Sequence, residues 1–351
     1  MEDGNRKSRL LWMDVIKVVS TFLIVMNHSI SYSFTTLPVD GYEWKIVNFI
    51  FMISRMGLPV FIMCSGAGML VRKRTIKEIW CRNILGLLIS YVGWMSILGI
   101  WDVVRIWIEG ENASLRVLVN AFAKCILFGK YHTWFIFTLV GLYAVTPFLY
   151  MIVQEKKNLC YFQLLAIVFT IVLPLFSGIE KLDRLMAVVD SINMHFVVGY
   201  SLYFVTGYFI VQYLDHKWEK YAEIAFLLSA GSAYVCSVWM SLKTGGANQD
   251  AYGVFSPCGF LMSVFFMILF KKYIGEKRQG RVVNGVASLQ KYGIAIYLLH
   301  VIFVEIWTKG SGMIYVLVAV LIWVLALGIS VVAYRIPIVG QILFIRRKEK
   351  E

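Results

Sequence analysis

Two ionisable side chains, Lys17 and His28, stand eleven residues apart inside an otherwise apolar stretch, Trp12 to Phe34. Eleven residues is close to three α-helical turns, so both project from one face. Thr21, Ile24 and Ser31 fall near the same stripe, and Asp14 lies about one turn below Lys17. Ionisable groups at membrane depth are costly, and a helix facing lipid would not align them. The residue types suit proton exchange at His28, whose unperturbed pKa is about 6.5, and a fixed positive charge at Lys17. The polar seam therefore points into a protein interior or a wet cavity.

Other candidates occupy comparable settings. Arg55 falls near the middle of a second apolar stretch, and His132, His195, His300 and Glu305 fall toward the ends of later ones. His216 alone sits in a loop. Each has an ordinary reading beside the functional one. Lys17 can snorkel to the head groups, and Arg55 can pair with a carboxylate such as Glu305 or Asp102. His132 and His195 can serve as interfacial anchors. The basic run Arg72 to Arg82 can be a solvated loop, although it also suits a polyanionic ligand.

The elements that position these residues are membrane helices. The chain is 59% hydrophobic and 16% charged over 351 residues, too apolar for a soluble enzyme. Stretches long enough to cross a bilayer recur at 12–34, 45–70, 83–108, 132–153, 161–179, 193–214, 221–241, 253–273, 286–307 and 313–334. The expected fold is an all-α polytopic membrane protein of about ten transmembrane helices, a single domain over 1–351. The first stretch is too long for a signal peptide and has no small-residue cleavage site. The six cysteines are scattered singly, which implies neither a disulfide framework nor a metal site.

Basic residues set the orientation. Of the 34 lysines and arginines, 23 fall on the side shared by the N-terminus, the even-numbered loops and the C-terminus, against 7 on the other. That bias places both termini in the cytoplasm. It also accounts for most of the net charge of +13 without a nucleic-acid partner. On this topology His28 lies roughly 24 Å from the cytoplasmic edge, in the outer third, and Lys17 within about two turns of the cytoplasm. Four histidines gather toward the outer leaflet, as a polar chamber with a basic approach from inside.

Lys17-x10-His28 resembles the basic-x10-His signature of the integral-membrane acyltransferase 3 family. Arg55-Met-Gly-Leu-Pro-Val-Phe-Ile-Met-Cys-Ser-Gly66 is similar to that family's second helix. Tyr131-His-Thr-Trp-Phe-Ile-Phe, continuing through Gly141-Leu-Tyr to Pro147, looks like a stretch of the branch that acetylates surface polysaccharides. Tyr203-Phe-Val-Thr-Gly-Tyr-Phe209, and the segment from Ser288 to Tyr297-Leu-Leu-His300, resemble its later spans. One departure stands out. The family often carries Arg-x-x-Arg at the cytoplasmic start of its third helix, whereas Arg82 is followed by Asn83-Ile84-Leu85.

The resemblance implies transfer of an acyl group, most often acetyl, from cytoplasmic acyl-CoA to a hydroxyl of a cell-envelope glycan, in a bacterial plasma membrane and without a metal. It assigns His28 as general base or transient acyl carrier. Lys17 and Arg82, with Arg72 or Arg74 in place of the missing arginine, would meet the CoA phosphates. Arg55, Ser65, His132, Trp134 and His300 are expected to line the acyl and acceptor pocket. A transporter of a glycan or lipid-linked substrate, built on the same polar seam and on helices broken at Pro59, Pro147 and Pro174, is the alternative.

Overall fold

The computed structural model describes residues 2–108, 114–177, 179, 183–192, 194, 196–275, 280–307 and 314–344. The described residues form helices and turns, with no strand among them. In chain order the helices that matter here are α1 (Glu2–Thr36), α2 (Tyr42–Ser54), α3 (Gly57–Leu70), α4 (Ile76–Ile108), α5 (Leu115–Phe128), α6 (Trp134–Ala144), α7 (Thr146–Val153), α8 (Lys156–Phe176), α9 (Asp183–Asp190), α10 (Tyr200–Gln212), α11 (Ala222–Thr244), α12 (Pro257–Ile274), α13 (Arg281–Ser288), α14 (Gly293–Trp307), α15 (Tyr315–Arg335) and α16 (Pro337–Ile342).

Eight helical stretches among the described residues are long and apolar enough to cross a membrane, or nine if α6 and α7 form one broken span. The protein is thus an all-α, multi-pass membrane protein. Two expected spans differ in detail. The one at 132–153 is interrupted at Val145, one residue ahead of Thr146 and Pro147 at the start of α7. Proline fits the first turn of a new helix, where no amide donor is needed. Among the described residues of the one at 193–214, the only α-helix is the 13-residue α10. Gly199, at φ 83°, precedes α10 in a backbone region that an L side chain would resist.

The chain divides into two compact units, Met1–Lys73 with Val145–Ser288, and Arg74–Ala144 with Leu289–Glu351. In the first, α1 runs antiparallel to α2 and α3 and packs on both. Phe34 stacks on Phe51 at 4.3 Å and on Trp44 at 5.9 Å, and Trp44 Nε1 donates to the Phe34 carbonyl at 2.9 Å. Lower down, a Cβ on Gly57 would lie 2.8 Å from the Ser20 carbonyl oxygen, so only glycine permits this approach. Helices α3 and α10 come closer still: a Cβ on Gly66 or Gly207 would sit 1.9 Å from the carbonyl oxygen of Phe204 or Met63. Small residues that let backbones touch are how membrane helices gain packing energy without a hydrophobic driving force.

Pro59 explains the junction of α2 and α3. Its nitrogen cannot donate to the carbonyl four residues earlier, and its ring crowds that carbonyl, which belongs to Arg55. Arg55 caps α2 at φ −63°, ψ −21°, its amide bonded to Phe51 and Met52. The break therefore falls on a candidate functional residue. At the other end of this unit, Lys271 Nζ donates to the Ile210 carbonyl at 3.2 Å and pairs with Glu219 at 3.0 Å. A cation there satisfies carbonyls left open at the end of α10.

In the second unit α4 begins after the Thr75 cap with a π turn, Ile79–Ile84, and continues as α-helix to Ile108. Helix α5 returns antiparallel along it: Phe122 lies against Gly99, Cys125 Sγ donates to the Met95 carbonyl at 3.5 Å, and Tyr91 Oη donates to the Ile126 carbonyl at 3.2 Å. The Leu343 carbonyl, past α16, accepts from Ser90 Oγ at 2.6 Å and Trp94 Nε1 at 3.2 Å, tying the chain's end to α4.

Candidate functional site

Asn27, the residue before His28, places its amide 2.9 Å from Ser54 Oγ, and that hydroxyl in turn donates to the Phe51 carbonyl at 2.6 Å. Ser54 is the residue before Arg55. One hydrogen bond therefore fixes the turn carrying His28 against the turn carrying Arg55, and Arg55 lies within electrostatic reach of the imidazole. The side chains of His28 and Arg55 are both partly buried.

The Arg55 guanidinium is held among aromatic groups. Its Cζ lies 5.8 Å from the Phe51 ring centroid, and Tyr200 and Tyr252 are within electrostatic reach. Its buried Nε has no hydrogen-bond partner among the described residues. The two carboxylates considered as its partners, Asp102 and Glu305, are instead both bound by Lys130. Arg55 faces a narrow crevice lined by Met52, Met56, Pro59, Tyr252, Met262 and Ser263. Behind it, Asn48 Oδ1 accepts from Tyr252 Oη at 2.7 Å and from Ser237 Oγ at 3.1 Å, fixing the Tyr252 ring. A buried guanidinium with a donor to spare, beside an imidazole, is equipped to meet negative charge developing on a reacting carbonyl.

Lys17 is 3.9 Å from Asp14, so the seam's N-terminal end is a partly buried ion pair. Ser65, in the same unit, is buried and donates to the Phe61 carbonyl four residues back at 2.9 Å, which gives it a helix-internal role. Arg72 is exposed past the end of α3.

The remaining candidates belong to the second unit. Arg74 and Arg82 converge on Glu78, at 3.3 Å and 3.9 Å, so two arginines flank one carboxylate on the face of the π turn. His132 and His300 are fully buried with their rings 5.4 Å apart. His300 Nδ1 lies 2.6 Å from the Tyr297 carbonyl, and Tyr297 Oη donates to the His132 carbonyl. Phe135 closes on Tyr297 at 5.3 Å, whereas the Trp134 ring is nearly half exposed. Of the four histidines expected in one chamber, His28 belongs to one unit, His132 and His300 belong to the other, and His195 lies outside the described residues.

Several residues of these clusters were not singled out from sequence. Ser54, Asn48, Tyr200 and Tyr252 act through partners up to 204 positions away, and Asn27, a polar neighbour of His28 to which sequence assigned no role, acts through Ser54. Lys130, placed by sequence in an outer loop, is the hub of an ion cluster: it meets Asp102 at 2.7 Å and Glu305 at 3.1 Å, and Arg105 lies 3.6 Å from Glu305. Burial alone would lower the Lys130 pKa, but the two carboxylates outweigh it and hold the ammonium above its ordinary value. Among the described residues no three His, Cys, Asp or Glu side chains gather as a metal-ligand set.

Comparison with known proteins adds one match. A family profile described as an acyltransferase domain covers residues 10–335, through both units. No curated protein and no solved structure matches the chain.

Proposed function

The chain belongs to the acyltransferase 3 family, a membrane acyltransferase, and from that premise we propose that it moves an acyl group, acetyl in the simplest case, from cytoplasmic acyl-CoA to a hydroxyl of a cell-envelope glycan outside a bacterial membrane. The observation that carries the mechanism is the buried Arg55 guanidinium, with Nε open, set beside His28 by the Asn27–Ser54 bond. Family membership favours acyl transfer over the transport reading.

CoA would approach from the cytoplasmic side, and the family resemblance gives Arg82, Arg74, Arg72 and Lys17 as candidate contacts for its phosphates. The thin pantetheine arm carries the thioester toward His28. A neutral His28 nitrogen removes the proton of the acceptor hydroxyl as the oxygen attacks the thioester carbon. The oxyanion of the tetrahedral intermediate is met by Arg55. Collapse breaks the carbon–sulfur bond, and His28 returns the proton to the leaving thiolate, giving ester and CoA. In the two-step variant the imidazole attacks first, expels the thiolate and passes the acyl group to the hydroxyl.

Vesicles containing the purified protein test this proposal. Acetyl-CoA should be consumed only when an acceptor glycan is supplied. Movement of intact glycan without loss of thioester would refute it.

A further inference from the structure

The second unit contains a pocket of about 330 Å³, open to solvent, lined by Asp102, Arg105, Lys124, Cys125, Phe128 and Lys130, among others. Its size falls in the range of small-molecule sites. Its floor is built rather than incidental. Gly129, at φ 69°, makes the turn after α5, and a Cβ there would lie 2.1 Å from Thr133 Oγ1. Thr133 Oγ1 donates to the Lys130 carbonyl at 2.8 Å, so the backbone under Lys130 is fixed. The Lys130 ammonium is then held by Asp102 and Glu305.

The charges do not cancel. Lys130, Arg105 and Lys124 face two carboxylates, Asp102 and Glu305. Lys130 is consumed between both, and Arg105 shares Glu305 while remaining largely exposed. Lys124 is exposed and makes no ion pair among the described residues. One positive charge is therefore left over at the pocket wall. Asp102 keeps acceptor capacity for a hydroxyl, since an ionised carboxylate takes several hydrogen bonds. Phe128 adds an exposed ring at the rim. Burial pushes the Cys125 thiol up to about 11, so it contributes no nucleophile.

We propose that this pocket binds an anionic sugar unit of the acceptor, its carboxylate toward Lys124 and Arg105 and a hydroxyl toward Asp102. This inference rests on the acyl-transfer reading only for the name of the ligand as acceptor. On the topology proposed above, the C-terminal end of α4 lies on the outer side, where such a glycan would be met.

The test is binding without turnover. The full-length protein in nanodiscs of neutral lipid is titrated with methyl β-glucuronide and with methyl β-glucoside. The glucuronide should bind about tenfold more tightly, the gain of one charge-assisted contact. Lys124→Glu, at an exposed position that should leave folding intact, should erase the preference, and His28→Ala should keep it. Equal affinity for the two sugars, or a preference that survives Lys124→Glu, overturns the proposal. So does the finding that anionic phospholipid displaces the glucuronide and raises thermal stability through Lys124, which would make the pocket a head-group site. Because glucuronide binding needs no acyl-CoA, failure here leaves acyl transfer intact, and failure of acyl transfer leaves this pocket intact.

Discussion

Asn27 and Ser54, 27 positions apart in sequence, share a 2.9 Å hydrogen bond that joins the helical turn of His28 to the cap that presents Arg55. The bond has positional value beyond its energy. A net hydrogen bond contributes about 0.5–1.5 kcal/mol to stability, but a misplacement of 1 Å at reacting groups costs on the order of 100-fold in rate.

Asn27→Ala should therefore lower kcat by about 10- to 100-fold with a stability loss near 1 kcal/mol. Ser54→Ala should behave alike, and the double variant should be little worse than either single one, because both remove the same contact. Acyl-transfer kinetics combined with thermal unfolding in detergent checks this. Additive losses in kcat would indicate that the two residues act separately.

Arg55 should show its role in kcat rather than in KM. Arg55→Met removes the donor to the oxyanion and should cost about 100- to 1000-fold in kcat. Arg55→Lys keeps the charge but not the planar fork, and should recover only part of the loss. Steady-state kinetics on both variants decides the matter; full activity in Arg55→Met would return Arg55 to a packing role.

Arg74 and Arg82 should act as a unit, since both contact Glu78. Alanine at either position should raise the KM for acyl-CoA several-fold with kcat nearly preserved, and should weaken CoA binding in titration calorimetry. Lys17→Ala should add a smaller effect. Unchanged CoA affinity in all three would place the donor elsewhere.

Lys130 predicts a pH dependence of stability. Its folded pKa is raised by Asp102 and Glu305, so the stabilisation is complete below the ordinary lysine value of about 10.4 and is lost as pH rises through the raised one. Lys130→Met should cost about 1.5–3 kcal/mol at neutral pH, because it leaves Asp102 without its cation and Glu305 with Arg105 alone. Melting curves between neutral and strongly alkaline pH should show the wild-type advantage shrinking only at the alkaline end.

The helical membrane architecture was legible because apolar stretches of spanning length are a local signal. The alignment of Lys17 and His28 followed from helical period alone. Pro59 announced a broken helix, and the structure shows that the break falls on Arg55. The partners of these residues were not legible. Asn27 with Ser54, Asn48 with Tyr252, and Lys130 with Asp102 and Glu305 are long-range pairs whose register depends on how the helices pack. The same holds for the shortened α10: a stretch apolar enough to suggest a full span contains a 13-residue helix after Gly199. Arg74, named from sequence as one replacement for the arginine missing after Arg82, stands two turns earlier, across Glu78.

Acceptor-dependent release of CoA thiol by vesicles carrying His28→Ala, compared with wild type, tests the central claim most directly. Loss of a general base costs about 100- to 10,000-fold, and loss of an acyl carrier costs at least as much. The variant should therefore release almost no thiol while remaining folded and still binding acyl-CoA. Wild-type release rates from His28→Ala would show that His28 does not carry the reaction.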